Sequence, residues 1–185
     1  MTAAGPAVVL AVGNVLLRDD GVGSRVIGEL RRLAEHDPSA VPDGTQLVDG
    51  GTLGLDLLRS VSGARSLLVL DAVNLGQVAG TVSVLRGDAL LANDAAGDRP
   101  GGTTPGSVGE LLAVARLMGW LPDPVALVGV QVGDTRFGVG LSPRVDAAVP
   151  VAVETACREL RVLDELAAAG RSNAPAIRQQ GDANP

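Results

Sequence analysis

AVVLAVGNVLLRDDGVGSRVIGELRRL, Ala7 to Leu33, holds a strand, a loop and a helix in one line. Ala7–Val12 is an unbroken apolar run rich in Val, the pattern of a strand covered on both faces. Val22, Val26, Ile27, Leu30 and Leu33 recur at helical spacing while Arg25, Glu29 and Arg31 fall on the other side, which predicts an amphipathic helix. Between the two, Gly13–Gly23 sets adjacent aspartates, Asp19 and Asp20, among glycines. Asp20 is positioned to cap the helix or to lie beside its first turn.

The rest of the chain repeats the theme. Gln46–Val48 reads as a short strand ending at Asp49-Gly50-Gly51-Thr52, and Leu55, Leu57 and Leu58 suggest a short helix. Ser66–Leu70 is a second fully apolar strand, and it stops at Asp71. Thr81–Leu85 alternates as a half-covered strand does, and Val125–Val132 is a third apolar run. Gly106–Met118 reads as a helix. The last helix is expected to start at Ser142-Pro143, a good cap followed by a good first residue, and to run towards Leu166. Pro150 is expected to kink or divide it. Residues 87–104 form an acidic, glycine-rich loop that is long for a compact domain. Residues 170–185 are polar and patternless, which predicts a disordered tail after a domain spanning 1–169. Apolar strands alternating with amphipathic helices predict a single three-layer α/β domain. Its sheet is twisted and mostly parallel with helices on both faces, and Thr81–Leu85 is its antiparallel edge.

Composition narrows the function. With 46% hydrophobic residues but one Phe, one Trp and no Tyr, the core must be aliphatic. A net charge of −6 argues against a nucleic-acid partner, which requires a basic face. No apolar run reaches the roughly 18 residues of a membrane span. The N-terminus lacks the basic region of a signal peptide, so a cytoplasmic protein is expected. The lone Cys157 excludes an internal disulfide and any multi-cysteine metal site. Val15 stands where a dinucleotide-binding fingerprint needs a second glycine.

Two acids then stand out. In open α/β sheets, ligands bind beyond the carboxyl ends of the strands. Asp71 ends one apolar strand and Asp20 lies in the loop leaving another, so neighbouring strands would bring them to one crevice. Two carboxylates ~6 Å apart at an effective dielectric of ~20 repel by roughly 3 kcal/mol, about two pKa units. The start of the helix offsets only ~0.3–1 kcal/mol of that, and the remainder favours a metal ion. A plainer reading makes Asp20 a cap and Asp71 the opening of a turn, and spacing alone does not separate the two. Asp49, in DGGT, reads mainly as turn chemistry.

The segments AVGNVLLRDDGVGSRV, VDGGTLGLDLL, LVLDAVNLGQVAGTV, LVGVQ and GLSPRVDAAVP together resemble the hydrogenase maturation protease family. They occur in the family's order and cover most of residues 7–153. The resemblance implies a cytoplasmic endopeptidase with a twisted, mostly parallel sheet between helices. It implies removal of a C-terminal extension from the large-subunit precursor of a nickel-iron hydrogenase, after nickel insertion. Nickel is then carried by the substrate. By motif position, Asp20 and Asp71 become the catalytic and metal-recognising acids, and Asp19 the weaker candidate. The family's third position is a histidine, and here Thr104 stands roughly in its place. The only histidine, His36, falls at the wrong end of the first helix and reads as solvated or C-capping. An acid from the 87–104 loop, such as Asp94 or Asp98, could complete the metal's coordination, as could the substrate and water. QVGDTRFGVG also departs from the family's more acidic loop. The missing imidazole keeps a rival open, a non-proteolytic assembly factor that binds the nickel-loaded precursor. A third reading is an unrelated hydrolase using the two acids with a bound divalent cation.

Overall fold

The apolar run Ala7–Val12 is strand β1, buried at every residue. Helix α1, Val22–His36, follows it and buries Val22, Val26, Ile27 and Leu30. One turn of 3-10 helix, Arg18–Gly21, joins the two. The computed structural model describes residues 5–87, 89–90 and 107–172. Further along come β2 (Gln46–Gly51), a one-turn α2 (Leu58–Val61), β3 (Ser66–Val73) and β4 (Val82–Arg86). Then follow α3 (Val108–Leu117), β5 (Val125–Gln131) and α4 (Pro143–Ser172).

The sheet has the order β2-β1-β3-β5-β4. β1 runs parallel to both β2 and β3, and β3 runs parallel to β5. The expected antiparallel edge is β4, but it pairs with β5 rather than with β3, which it follows in sequence. The fully buried SLLVL of β3 needs covered strands on both flanks, whereas β4 is only half-buried and suits an edge. Successive residues of a strand point to opposite faces. Val9, Ala11, Leu68, Leu70 and Val128 therefore pack beneath α1 and α4, while Val8, Leu10, Leu67, Val69 and Leu127 face α2 and α3. The three-layer α/β expectation holds.

Several boundaries differ from the sequence reading. β3 continues to Val73, so Asp71 lies inside the strand rather than at its end. β2 continues to Gly51, which makes Asp49 a strand residue beside a register shift opposite Ala11 and Val12. Helix α4 is continuous through Pro150. Pro150 and Asp146, the residue whose carbonyl loses its donor, are both exposed, so water can replace the missing bond. The helix also takes in Gly170–Ser172, which the sequence assigned to the tail. Residues 173–185 lie outside the described residues, as does nearly all of the 87–104 loop. Among the described residues, no helix is long and apolar enough to cross a membrane.

Candidate active site

The two adjacent aspartates diverge. Gly13, just past β1, has φ +129°, and a Cβ there would lie 1.9 Å from the Asp20 carbonyl oxygen. Only glycine lets the chain fold back so closely. The return brings the Asp20 carboxylate to the end of β1, where it accepts the Asn14 N–H at 2.8 Å. Asp20 is not the cap of α1: Gly21 occupies that position, and no side chain caps the helix. The Asp20 side chain stays half-buried at the rim of the sheet.

Asp19 turns the other way and is fully buried. Its Oδ2 accepts the N–H groups of Gly133 (2.9 Å) and Asp134 (2.8 Å) and the Ser142 hydroxyl (2.9 Å). Its Oδ1 accepts the Ser142 N–H at 2.6 Å. Burial pushes this carboxyl up, but the donors from Ser142, Gly133 and Asp134 together outweigh it and hold the pKa below the ordinary 3.8. Arg18, immediately before, sits in the left-handed region at φ +47°, a conformation non-glycine residues rarely adopt. That twist belongs to the turn that sends Asp19 inward and leaves Asp20 at the rim. One carboxylate is a clamp, and the other is available.

Asp71 is buried on β3, opposite Gly129 of β5 and one residue past the Leu70–Ala11 pair that joins β3 to β1. By strand parity it shares the α2/α3 face with Leu67, Val69 and Val73. Its Oδ1 accepts the N–H of Ala72 at 2.8 Å. Helix α1 closes over this end of the sheet. A Cβ on Gly23 would lie 2.5 Å from the Val12 carbonyl oxygen and 2.7 Å from that of Leu70. The first turn of α1 thus rests directly on the ends of β1 and β3. Asp20, in the turn that folds back on the end of β1, and Asp71, on the adjacent parallel strand β3, consequently lie toward the same end of the sheet.

Sequence reasoning passed over two residues that shape this edge. One is Asp19 in its role as clamp. The other is Gln131, buried at the end of β5, whose Oε1 accepts the Leu75 N–H at 2.7 Å and the Gln77 N–H at 3.3 Å. Its Nε2 donates to the Asn74 Oδ1 and the Val132 carbonyl, both at 3.1 Å. Gln131 therefore fixes the loop that leaves β3 after Val73, two residues beyond Asp71. The available signal was an amide inside the apolar run VALVGVQV, since a buried polar side chain must find partners.

The other candidates fall elsewhere. Asp49 accepts the Ser24 hydroxyl at 2.9 Å, tying β2 to α1 rather than forming a turn. His36 is exposed in the last turn of α1, its Nδ1–H donating to the Arg32 carbonyl at 2.7 Å. Cys157 is buried in α4, and burial pushes its thiol pKa up, the opposite of an activated nucleophile. Thr104, Asp94 and Asp98 lie outside the described residues. Among the described residues, no group of three or more His, Cys, Asp or Glu converges on a metal position. For a metal ion, Asp20 and Asp71 would offer two hard oxygen donors, and a third would have to come from outside that set.

The family model for hydrogenase maturation proteases matches residues 25–159. The chain belongs to that family. The chain is 36% identical to the hydrogenase expression/formation protein HupD of Rhodobacter capsulatus, over 83% of this chain and 70% of that one. It is 31% identical to the hydrogenase 2 maturation protease of Escherichia coli (strain K12), over 83% and 89% of the two chains. In three dimensions it is similar to the hydrogenase maturating endopeptidase HybD from E. coli, with TM-score 0.72 and 29% identity, covering 85% of this chain and 93% of that one. The HybD maturation protease from Thermococcus kodakarensis matches with TM-score 0.65 and 25% identity, over 84% and 99% of the chains. As a hydrogenase maturation protease, the chain is an endopeptidase. The C-terminal end of its parallel strands, with Asp20 in the turn after β1 and Asp71 on the neighbouring β3, is the candidate place for peptide cleavage.

Proposed function

We propose that this hydrogenase maturation protease removes the C-terminal extension of a nickel-iron hydrogenase large-subunit precursor in the cytoplasm, once nickel has been inserted. The observation that supports the reading is the parallel pairing of β1 with β3: the turn after β1 carries Asp20, and β3 carries Asp71 one residue past the last paired position. Nickel is part of the substrate, held by the precursor's own thiolates, and the two carboxylates complete its recognition. Two carboxylates brought within ~6 Å would repel by roughly 3 kcal/mol at an effective dielectric of ~20, and a cation between them would relieve it. Two oxygen donors alone make a hard site, so the softer ligands that suit nickel must come from the precursor. That requirement makes recognition conditional on a loaded substrate.

Cleavage is hydrolysis: water adds to the scissile carbonyl, the C–N bond breaks, and the departing amine takes up a proton. The metal carried by the precursor polarises the carbonyl or activates the water. On the enzyme, Asp20 and Asp71 orient that metal, Asp19 holds the loop bearing Asp20, and Gln131 holds the loop following Asp71. A Ser/His/Asp mechanism has no support here, since His36 lies at the far end of α1. The test is to mix purified protein with nickel-loaded and nickel-free precursor and follow the large subunit by mass spectrometry. Loss of the tail from the loaded form alone is the expected result. Thr104, in the place of the family's histidine, favours one rival: an assembly factor that binds the precursor without cutting it. Stable binding with the tail intact would select that rival.

A further inference from the structure

We infer that the loops around the acid pair form a preorganised apolar docking rim for the body of the large-subunit precursor. This inference rests on the substrate proposed above. Val15 and Leu16 follow β1, Leu53 follows β2, Val78 follows β3, and Phe137 and Val139 follow β5, and all six side chains are exposed. These strands are parallel, so the six lie at the end of the sheet that carries Asp20 and Asp71.

Backbone contacts join the loops into one edge. Leu17 and Gly138 form a parallel bridge, Gly138 N–H donates to the Leu16 carbonyl at 2.8 Å, and Arg18 N–H donates to that of Gly138 at 3.0 Å. Gly13 N–H donates to the Gly51 carbonyl at 3.0 Å, which brings the loop carrying Leu53 alongside. A Cβ on Gly133 would meet the Ala79 Cβ at 2.9 Å, so the Val78 loop lies against the other side. The chain has a single Phe, and it is 81% exposed on this edge, with Val139 beside it at 80%. An aromatic side chain left out of an otherwise aliphatic core and held on a hydrogen-bonded platform is typical of a binding anchor.

The occupant follows from continuity with the cleavage site. A precursor whose tail reaches Asp20 and Asp71 must rest the base of that tail on these loops, and apolar precursor surface is the chemistry they accept. The rim therefore contributes binding that is equal before and during reaction, and its loss appears in KM rather than kcat.

The experiment titrates nickel-loaded precursor with wild type, Phe137→Ser/Val139→Ser and a control, Leu117→Ser, whose exposed side chain precedes β5 at the other end of the sheet. Affinity is read by calorimetry, KM and kcat by tail removal, and folding by circular dichroism. The rim variant is expected to weaken Kd and raise KM by about tenfold or more with kcat and folding unchanged, while the control matches wild type. Unchanged affinity in a folded rim variant overturns the rim. So does concentration-dependent self-association of the wild type that the same variant abolishes, which would assign the surface to a second copy. Wild type that binds through the rim but cuts nothing refutes the proteolytic reading and leaves the rim standing. Wild type that fails to bind the loaded precursor overturns both.

Discussion

Asp19 accepts hydrogen bonds from both the backbone N–H and the hydroxyl of Ser142, 123 residues further along the chain. The contact fastens the loop leaving β1 to the start of α4. Removing the carboxylate strands three backbone donors, and a buried orphan costs about 1–3 kcal/mol, less than additively. Asp19→Ala is expected to lose about 3–5 kcal/mol, a large share of the roughly 5–15 kcal/mol that a domain possesses. Asp19→Asn retains one acceptor and is expected to lose about 2 kcal/mol. Urea denaturation midpoints at constant slope check both. Wild-type stability in the alanine variant would remove the clamp.

The same carboxylate makes stability pH-dependent. Its folded pKa lies below the ordinary 3.8, so the unfolded chain takes up the proton first as pH falls. The contribution is fully present above that ordinary value and is lost as pH drops below it, through the lower folded value. The stability gap between wild type and Asp19→Asn is therefore expected to be constant near neutrality and to narrow as pH falls below the ordinary carboxylate value of 3.8. Denaturation series at stepped pH measure the gap, and a gap that widened in acid would contradict the assigned sign.

Asp20→Asn leaves an oxygen to accept the Asn14 N–H, so its melting temperature is expected to stay near that of wild type. Losing the charge should nevertheless reduce single-turnover tail removal by about 100-fold or more, equivalent to ~2.7 kcal/mol of transition-state stabilisation. Asp71→Asn is expected to do the same. Full-rate cleavage by either variant excludes that carboxylate from metal recognition.

Two glycines of α1 provide a matched pair. Gly23→Ala drives a methyl into the carbonyl oxygens of Val12 and Leu70, so the helix must lift, at about 1–3 kcal/mol. Because Asp20 sits in the 3-10 turn that leads directly into α1, cleavage is expected to fall further than stability does. Gly28, in the same helix, faces open space where a Cβ would stand, with nothing within 4 Å. Gly28→Ala is therefore expected to stabilise by up to about 1 kcal/mol with cleavage intact. Calorimetric melts and cleavage rates on the two variants test the contrast. Equal behaviour would mean that the close seating of α1 is not what positions Asp20.

Much of this could be read along the chain. The runs AVVLAV, SLLVL and VALVGV declare buried strands, because a strand covered on both faces has no polar position to offer, and the spacing of Val22, Val26, Ile27 and Leu30 declares a helix. The glycines and acids of Gly13–Gly23 announce the turn between β1 and α1. Alternation and composition are local properties, and local properties fix the period of an element and which side of it is covered.

Partners across the sheet are not local, and there the sequence ran out. β4 pairs with β5 because the flank of β3 is already taken, a competition that no window of sequence records. Asp19 and Asp20 are identical residues at adjacent positions, yet only the meeting of the first loop with Gly133, Asp134 and Ser142 made one a buried clamp and left the other at the rim. Order along the chain was enough for the strands and the first helix. Which acid is clamped and which stays at the rim was settled by folding, because hydrogen-bond donors 114 to 123 residues away can choose between them only once the loops have met.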